Sequence, residues 1–336
     1  MKTVYLISFN GTGNAGGVER VTYYLKEILS EKFTVKILQK KGKFRFGKIG
    51  KILYALYLSL KLYFIPNKIV IANSWQCFLY PADYSIHHGT QAGSMLYCGK
   101  TLTSKITAVM EKISAKFARK ILAVSENCKE ELIKYYKIKE EKISVLNNFV
   151  DENRFFPIKH NTNCNSINVV FSGTLCKRKG LEKLIELANY LTIYNKDNKK
   201  PIKLIIATNN NNNSESFANN SNVELNIGLT IDNMNDFYNK GDILFFPTIY
   251  EGFSMSTLEA LASGLPVIGT NFAIPVELRH YKFCNLIEDN INCKDLCDKI
   301  CNVYSLYNGQ KEEIHKIISK DFGKESYKDK LMKYFN

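Results

Sequence analysis

Strand and helix patterns alternate along this chain, break once near the middle, and then begin again. Short apolar runs fall at residues 4–9, 35–38, 69–72, 84–86, 121–124 and 143–146. Between them lie helical spacings: Val18, Val21, Leu25, Ile28 and Leu29 share one face of a helix over 18–30, and 104–119 and 126–136 follow suit. Alternation of this kind implies a parallel sheet covered by helices on both faces. The pattern stops at Asn147-Asn148-Phe149-Val150-Asp151, and a polar, Asn-rich stretch runs on to Ser166, which reads as a linker. Strand patterns then resume at 167–171, 202–207, 223–226, 243–246 and 267–269, with a helix at 181–191 and helices from Asn292 onward. At 336 residues the chain suits two α/β domains, and a cleft between them is the natural ligand site.

Composition narrows the class. A chain with 45% hydrophobic and 23% charged residues is globular rather than disordered. The apolar run at the N-terminus is too short for a secretory signal and reads as a first strand ending in a glycine turn. Nine scattered cysteines without a Cys-x-x-Cys pair suit a reduced, cytoplasmic setting. Cys293, Cys297 and Cys301 share a helix face, as metal or redox ligands would, or simply as small hydrophobes. No Asp-x-Asp and no His, Cys or carboxylate cluster has metal spacing, so neither a metal nor a cofactor is expected. The formal charge of +14 calls for an anionic partner. Nothing resembles a nucleic-acid module, so nucleic acid is set aside. Most of the excess lies in the first 150 residues, notably from Lys40 through Lys43, Arg45 and Lys48 to Lys51. Behind it, residues 52–65 are apolar except for Ser59 and Lys61, a run shorter than the ~20 residues that span a bilayer. This segment is either a peripheral contact with an anionic membrane or a buried connecting helix behind a solvated loop.

The chemistry concentrates at 243–269. An apolar strand runs into a loop holding Glu251, a helix opens around Ser254, Met255 and Ser256, and Glu259 follows in its early turns. Ligands of open α/β sheets bind outside the carboxyl ends of the strands. A helix start there offers free N–H groups and a positive dipole end to a phosphate. Carboxylates on either side can accept hydrogen bonds from hydroxyls, so the arrangement suits a diphosphate with a sugar at each end, a nucleotide-sugar. The rival reading is a capping box, Ser256-Thr257-Leu258-Glu259, with Glu251 an exposed loop acid.

Three further loops sit at strand ends. Gly173 to Gly180 holds Thr174, Lys177, Arg178 and Lys179, cations able to neutralise a leaving diphosphate, or else a solvated basic turn. His87 and His88 follow the 84–86 strand, where an imidazole can meet a substrate hydroxyl or phosphate, or be structural. Gly11 to Gly17 contains G-x-G-x-x-G, but the second strand ends in Leu38-Gln39-Lys40-Lys41, without the acid that holds a ribose. An NADP reductase therefore stays open only through the lysines. The plainer content is a glycine loop that lets backbone approach an anion closely.

Together these motifs resemble the retaining nucleotide-sugar glycosyltransferases of family 4, in order and over nearly the whole chain. Gly16-Gly17-Val18-Glu19-Arg20 resembles the family's N-terminal glycine turn, and Ser125-Glu126 with Asn148 to Pro157 its interdomain run. Gly173 to Gly180 resembles the basic loop, Asn222 to Gly228 the stretch beside the nucleobase, and Glu251 to Glu259 the paired-glutamate signature. The resemblance implies the GT-B architecture, an α/β fold of two Rossmann-like domains facing a central cleft. It implies an acceptor-side domain over 1–148, a nucleotide-sugar domain over 149–318, and a C-terminal helix, 319–336, returning toward the first. By the same resemblance, Glu251 holds donor-sugar hydroxyls, Glu259 the ribose, the N–H groups near Ser254–Ser256 with Lys179 a phosphate, and His88 or His87 lies near the transferred sugar. The acceptor it implies is a growing glycan or a lipid-linked one, in surface polysaccharide or lipopolysaccharide synthesis on the inner membrane face. Two positions depart from the pattern: Thr174 stands where an arginine is usual, and Phe272-Ala273-Ile274-Pro275 replaces a Gly-Gly loop. Thr174 leaves room for a non-catalytic glycan- or membrane-binding partner on this fold, and a sugar-nucleotide epimerase shares the architecture.

Overall fold

The computed structural model describes residues 2–10, 17–40, 47–159, 165–198 and 200–335. Gly16 with the rest of the 11–16 glycine loop, and Lys41, Lys43 and Arg45 of the basic run, lie outside the described residues.

The chain divides after Asn148 into Met1–Asn148 and Phe149–Asn336. The first unit runs β1 (Thr3–Ile7), α1 (Gly17–Ser30), β2 (Thr34–Leu38), α2 (Gly47–Tyr63), β3 (Lys68–Asn73), β4 (Tyr84–His87), α3 (Gln91–Cys98), α4 (Leu102–Phe117), β5 (Lys120–Ala123), α5 (Glu126–Tyr136) and β6 (Ile143–Val145). Its six strands are all parallel in the order β2-β1-β3-β4-β5-β6. The order reverses between β1 and β3, so a ligand crevice is expected outside Ile7 and Asn73. Expectation and structure agree on all six strands to within two residues. They differ at α2, which starts at Gly47 and so takes Lys51 from the basic loop into the helix; it ends at Tyr63, ahead of Pro66. The short α3 has no counterpart in the sequence reading.

The second unit runs β7 (Ile167–Ser172), α6 (Leu181–Asp197), β8 (Ile202–Thr208), β9 (Val223–Ile227), α7 (Met234–Asn239), β10 (Ile243–Phe246), α8 (Met255–Ala262), β11 (Val267–Gly269), β12 (Cys284–Leu286), α9 (Cys293–Tyr307), α10 (Lys311–Phe322) and α11 (Lys324–Met332). Its parallel sheet is ordered β12-β11-β10-β7-β8-β9, with the reversal between β7 and β10. These two central strands are covered on both faces and nearly all of their residues are buried, which explains why they read as continuous apolar runs rather than alternating ones. β12 escapes the sequence reading because Asn285 interrupts its three residues.

The expected boundary at 318 falls inside α10, whose Ile314, Ile318 and Phe322 form one buried stripe through it. The 319–336 segment thus closes the second unit. Val150 pairs with Gly323, and Tyr327 stacks on Phe149 at 4.2 Å between ring centroids. In α9, Cys297 is buried beside Leu296 and Ile300, as a small hydrophobe would be. No helix among the described residues is long and apolar enough to cross a membrane.

Candidate functional site

At the second sheet's reversal point, the loops after β7 and β10 are fastened to each other. Residues Lys177–Lys179 form a single tight turn that ends in Gly180 at φ +83°, a left-handed conformation suited to glycine. A Cβ on Gly180 would stand 2.1 Å from the Pro247 carbonyl oxygen, so only glycine lets the two loops approach this closely. The Arg178 carbonyl accepts hydrogen bonds from the Ile249 amide (2.9 Å) and from Thr248 Oγ1 (2.9 Å). Asn213 adds a brace, its side-chain amide donating to the Leu175 carbonyl at 2.7 Å. The asparagine run 209–213 is thereby tied, through its last residue, to the loop after β7.

This stitching brings the candidate charges together. Arg178 donates to the Glu251 carboxylate and, at 3.0 Å, to the Tyr250 carbonyl. Lys179 Nζ lies 2.8 Å from the same Glu251 oxygen and 4.7 Å from the centroid of the Phe246 ring, close enough for a cation–π contact. The Lys179 and Glu251 side chains are only 14% and 15% exposed, while Arg178 is 39% exposed. Burial pushes the Lys179 pKa below the ordinary lysine value and Arg178 adds to that push, which Glu251 partly counters. Gly173 lies alongside: a Cβ there would be 3.7 Å from the Lys179 side chain.

α8 opens against this cluster. Ser254 is its cap, accepting from the Thr257 amide at 3.1 Å, and Ser256 Oγ donates to the Ser172 carbonyl at 3.2 Å. The N–H groups of the partly exposed Met255 and Ser256 have no partner among the described residues. They are a ready anion site at a helix N-terminus. The capping-box alternative fails, because with Ser254 at the cap Glu259 is the fifth helical residue. Glu259 is 1% exposed and accepts from the Tyr238 hydroxyl at 3.0 Å. Phe272, one of the departures from the family pattern, packs its ring on Tyr250 at 5.3 Å.

In the first unit the two histidines separate. His87 is fully buried, 3.1 Å from Ser85 Oγ and with Nδ1 3.7 Å from Glu111. Burial would raise the Glu111 pKa, but His87, Ser74 and Tyr136 outweigh it and hold the carboxyl below its ordinary value. His88 stands at the other reversal point, its Nε2 3.1 Å from Asn73 Oδ1. The Asn73 amide donates to the Ile7 carbonyl (2.9 Å) and to Thr22 Oγ1 (3.2 Å), so its Oδ1 accepts and His88 Nε2 carries the proton. That leaves Nδ1 as the acceptor. Burial, then the neighbouring His87, lowers the His88 pKa to about 4, so the ring is neutral near pH 7. The next helix start, α3, holds no open anion site. Its first amides are taken by Glu131 (Thr90, 3.1 Å), Glu111 (Gln91, 2.6 Å) and the Tyr136 hydroxyl (Ala92, 3.2 Å). Sequence reasoning missed these carboxylates; the one signal was Gly93, where a Cβ would sit 2.2 Å from Glu131. Gly17 is the first residue of α1.

Each half of this chain matches a glycosyltransferase model, "Glycosyltransferase Family 4" over residues 69–154 and "Glycosyl transferases group 1" over 166–305. The chain thus carries domains of both glycosyltransferase families. It is 30% identical over 182 residues to the capsular polysaccharide biosynthesis glycosyltransferase CapM of Staphylococcus aureus, covering 48% of this chain and 46% of that protein. The match spans about half the length of the first curated relatives. Among solved structures, WaaG, a glycosyltransferase involved in lipopolysaccharide biosynthesis, superposes with a TM-score of 0.77 at 14% identity over 98% of this chain and 99% of WaaG. HepE from Anabaena, solved in complex with UDP-glucose, gives 0.72 at 12% identity over 100% of this chain and 99% of HepE. The fold of this chain is GT-B, two Rossmann-like α/β domains.

Proposed function

We propose that this chain is a retaining glycosyltransferase that moves a sugar from a nucleotide-sugar to a growing glycan or lipid-linked acceptor, in surface polysaccharide or lipopolysaccharide synthesis. The observation that carries this reading is the Glu251 carboxylate clasped by Arg178 and Lys179 beside the open N–H groups of Met255 and Ser256. In the ligand-free protein Glu251 supplies the negative charge that a donor diphosphate would bring. With donor bound, the two cations and the helix start hold the departing phosphate, while Glu251 turns to the sugar hydroxyls. Glu259 accepts from the ribose, and neutral His88 presents Nδ1 to the transferred sugar. The acceptor attacks on the face that the nucleotide leaves, through an oxocarbenium-like state. The protein then contributes positioning and preorganised charge rather than a nucleophile. The cations serve where a metal would, so the proposed reaction needs none. Thr174 leaves that work to Arg178 and Lys179.

An anionic membrane surface belongs to the same proposal, with α2 lying on the inner face of the cell membrane. Its Ile49, Leu53, Leu60 and Tyr63 are exposed, and Phe64 behind it is 86% exposed. A nucleotide-sugar panel screened by thermal shift tests the enzymatic reading. The true donor at 100 times its dissociation constant stabilises the chain by about 2.7 kcal/mol. A panel without any stabilising member would refute it.

A further inference from the structure

Ser74 stands immediately after β3 at φ +50°, a left-handed conformation that serine rarely adopts. Of the other non-glycine residues at positive φ among the described ones, Asn67 and Asn213 are asparagines, which tolerate it, and Lys137 closes α5. Ser74 is neither, so its surroundings hold it there. Both holds come from α4. Ser114 Oγ donates to the Ser74 carbonyl at 2.7 Å, and the Ser74 hydroxyl donates to Glu111 at 2.6 Å. Glu111 and Ser114 are both buried. The second Glu111 oxygen serves the other loop, accepting from the Gln91 amide at 2.6 Å and from the Tyr136 hydroxyl. One carboxylate therefore ties the residue after Asn73 to the residue three beyond His88. Glu131 fastens the intervening Thr90 by its amide (3.1 Å) and its hydroxyl (2.7 Å). The two loops held in this way are the ones that carry the Asn73–His88 hydrogen bond.

We propose that Glu111 and Ser114 are positioning residues for sugar transfer, which hold Ser74 in its strained turn so that Asn73 fixes the ring orientation and tautomer of His88. This rests on the transferase reading, in which Nδ1 of that ring meets the transferred sugar. A neutral imidazole has two tautomers, and the bond made by one nitrogen decides what the other presents. Here that bond runs to Asn73 Oδ1, while the Asn73 amide is committed to Ile7 and Thr22. Its carbonyl oxygen stays in place only while the backbone on its far side does. Glycine would sit at the φ of residue 74 without strain, but it has no hydroxyl for Glu111. Serine takes on the strain and supplies the tie. A shift of about 1 Å at such a group can cost roughly a hundredfold in rate, so the tie has the reach to matter.

The test is Ser74→Gly, which relieves the strain and removes the tie, so that stability and positioning part company. The variant melts within a few degrees of the parent and its donor KM stays within about twofold, but kcat falls about tenfold or more. Nitrogen-15 NMR of the substrate-free protein reads the ring, with His88→Gln assigning its signals. In the parent the two ring nitrogens keep widely separated shifts, one protonated and one free, and in Ser74→Gly they converge as the tautomers exchange. Ser114→Ala and Glu111→Ala act in the same way. Glu111→Gln restores most of what Glu111→Ala loses, because its amide donates to Ser74 Oγ while its oxygen still accepts from the Gln91 amide. The parent's kcat in Ser74→Gly overturns the proposal, as does a fall in kcat with the ring spectrum unchanged. A parent that turns over no donor, while its ring spectrum responds as described, refutes the transferase reading and not the tie.

Discussion

Replacing Glu251 with alanine in the ligand-free protein leaves Lys179 and Arg178 side by side without their counter-charge. Stripping one partner from a fully buried ion pair costs about 3–5 kcal/mol. Lys179 and Glu251 are nearly buried, but Arg178 is 39% exposed and can turn to water, so the low end, about 3 kcal/mol, is expected. For a unit of this size that lowers the second unit's melting temperature by roughly 6–12 °C. The loss also depends on pH. Lys179 has a folded pKa below its unfolded value of 10.5, and the variant lowers it further by removing the one carboxylate that raises it. Between the folded pKa and 10.5 the unfolded chain binds the extra proton, so stability rises with pH across that window, and more so in the variant. The gap between parent and variant should therefore narrow from pH 7 to pH 10. Pyrophosphate should stabilise Glu251→Ala more than the parent, because it restores the missing charge, although sugar transfer is lost. Urea unfolding at the two pH values, with and without pyrophosphate, gives the answer. A variant as stable as the parent at pH 7, or a gap unchanged at pH 10, would refute the charge argument.

Three further outcomes follow from the same geometry. Gly180→Ala forces a Cβ into the Pro247 carbonyl at a positive φ, so it should cost more than about 2 kcal/mol in chemical unfolding and slow transfer by moving Arg178 and Lys179. Tyr238→Phe removes a donor from the buried Glu259, an expected loss of about 1–3 kcal/mol, and nucleotide affinity measured by calorimetry should fall with it. His88, with a folded pKa of about 4 against 6.5 unfolded, makes the protein gain stability as pH rises from 4 to 6.5 and none above. His88→Gln should flatten that rise, and a parent activity limb with its midpoint near 6.5 that His88→Gln abolishes would contradict a neutral ring.

Local pattern revealed most of the sheets, because buried parallel strands and amphipathic helices write their periods directly into the sequence. What stayed hidden depends on distant partners. The spacing Ser256 to Glu259 matches a capping box, yet the chain caps with Ser254 because that residue reaches the Thr257 amide. His87 and His88 are adjacent and chemically identical, and only the neighbours Glu111 and Asn73, far along the chain, send one into the core and the other to the strand end. Asn213 looks like filler in an asparagine run until the Leu175 carbonyl is beside it. The clasp itself was half legible. Each of Arg178, Lys179 and Glu251 was a candidate, but their pairing needs the β7–β10 contact, a neighbour relation that no local spacing encodes.

Turnover itself bears most directly on the central claim. The chain is incubated with each nucleotide-sugar and a membrane-lipid or surface-glycan acceptor fraction, with EDTA present. Release of nucleoside diphosphate is followed, and the anomeric configuration of the product is read by NMR. The account predicts that one donor is consumed, that the product keeps the donor's configuration, and that Glu251→Ala and Lys179→Ala lose more than tenfold, about 1.4 kcal/mol in the barrier. An inverted product, activity that vanishes with EDTA and returns with magnesium or manganese, or turnover untouched by both substitutions would contradict it.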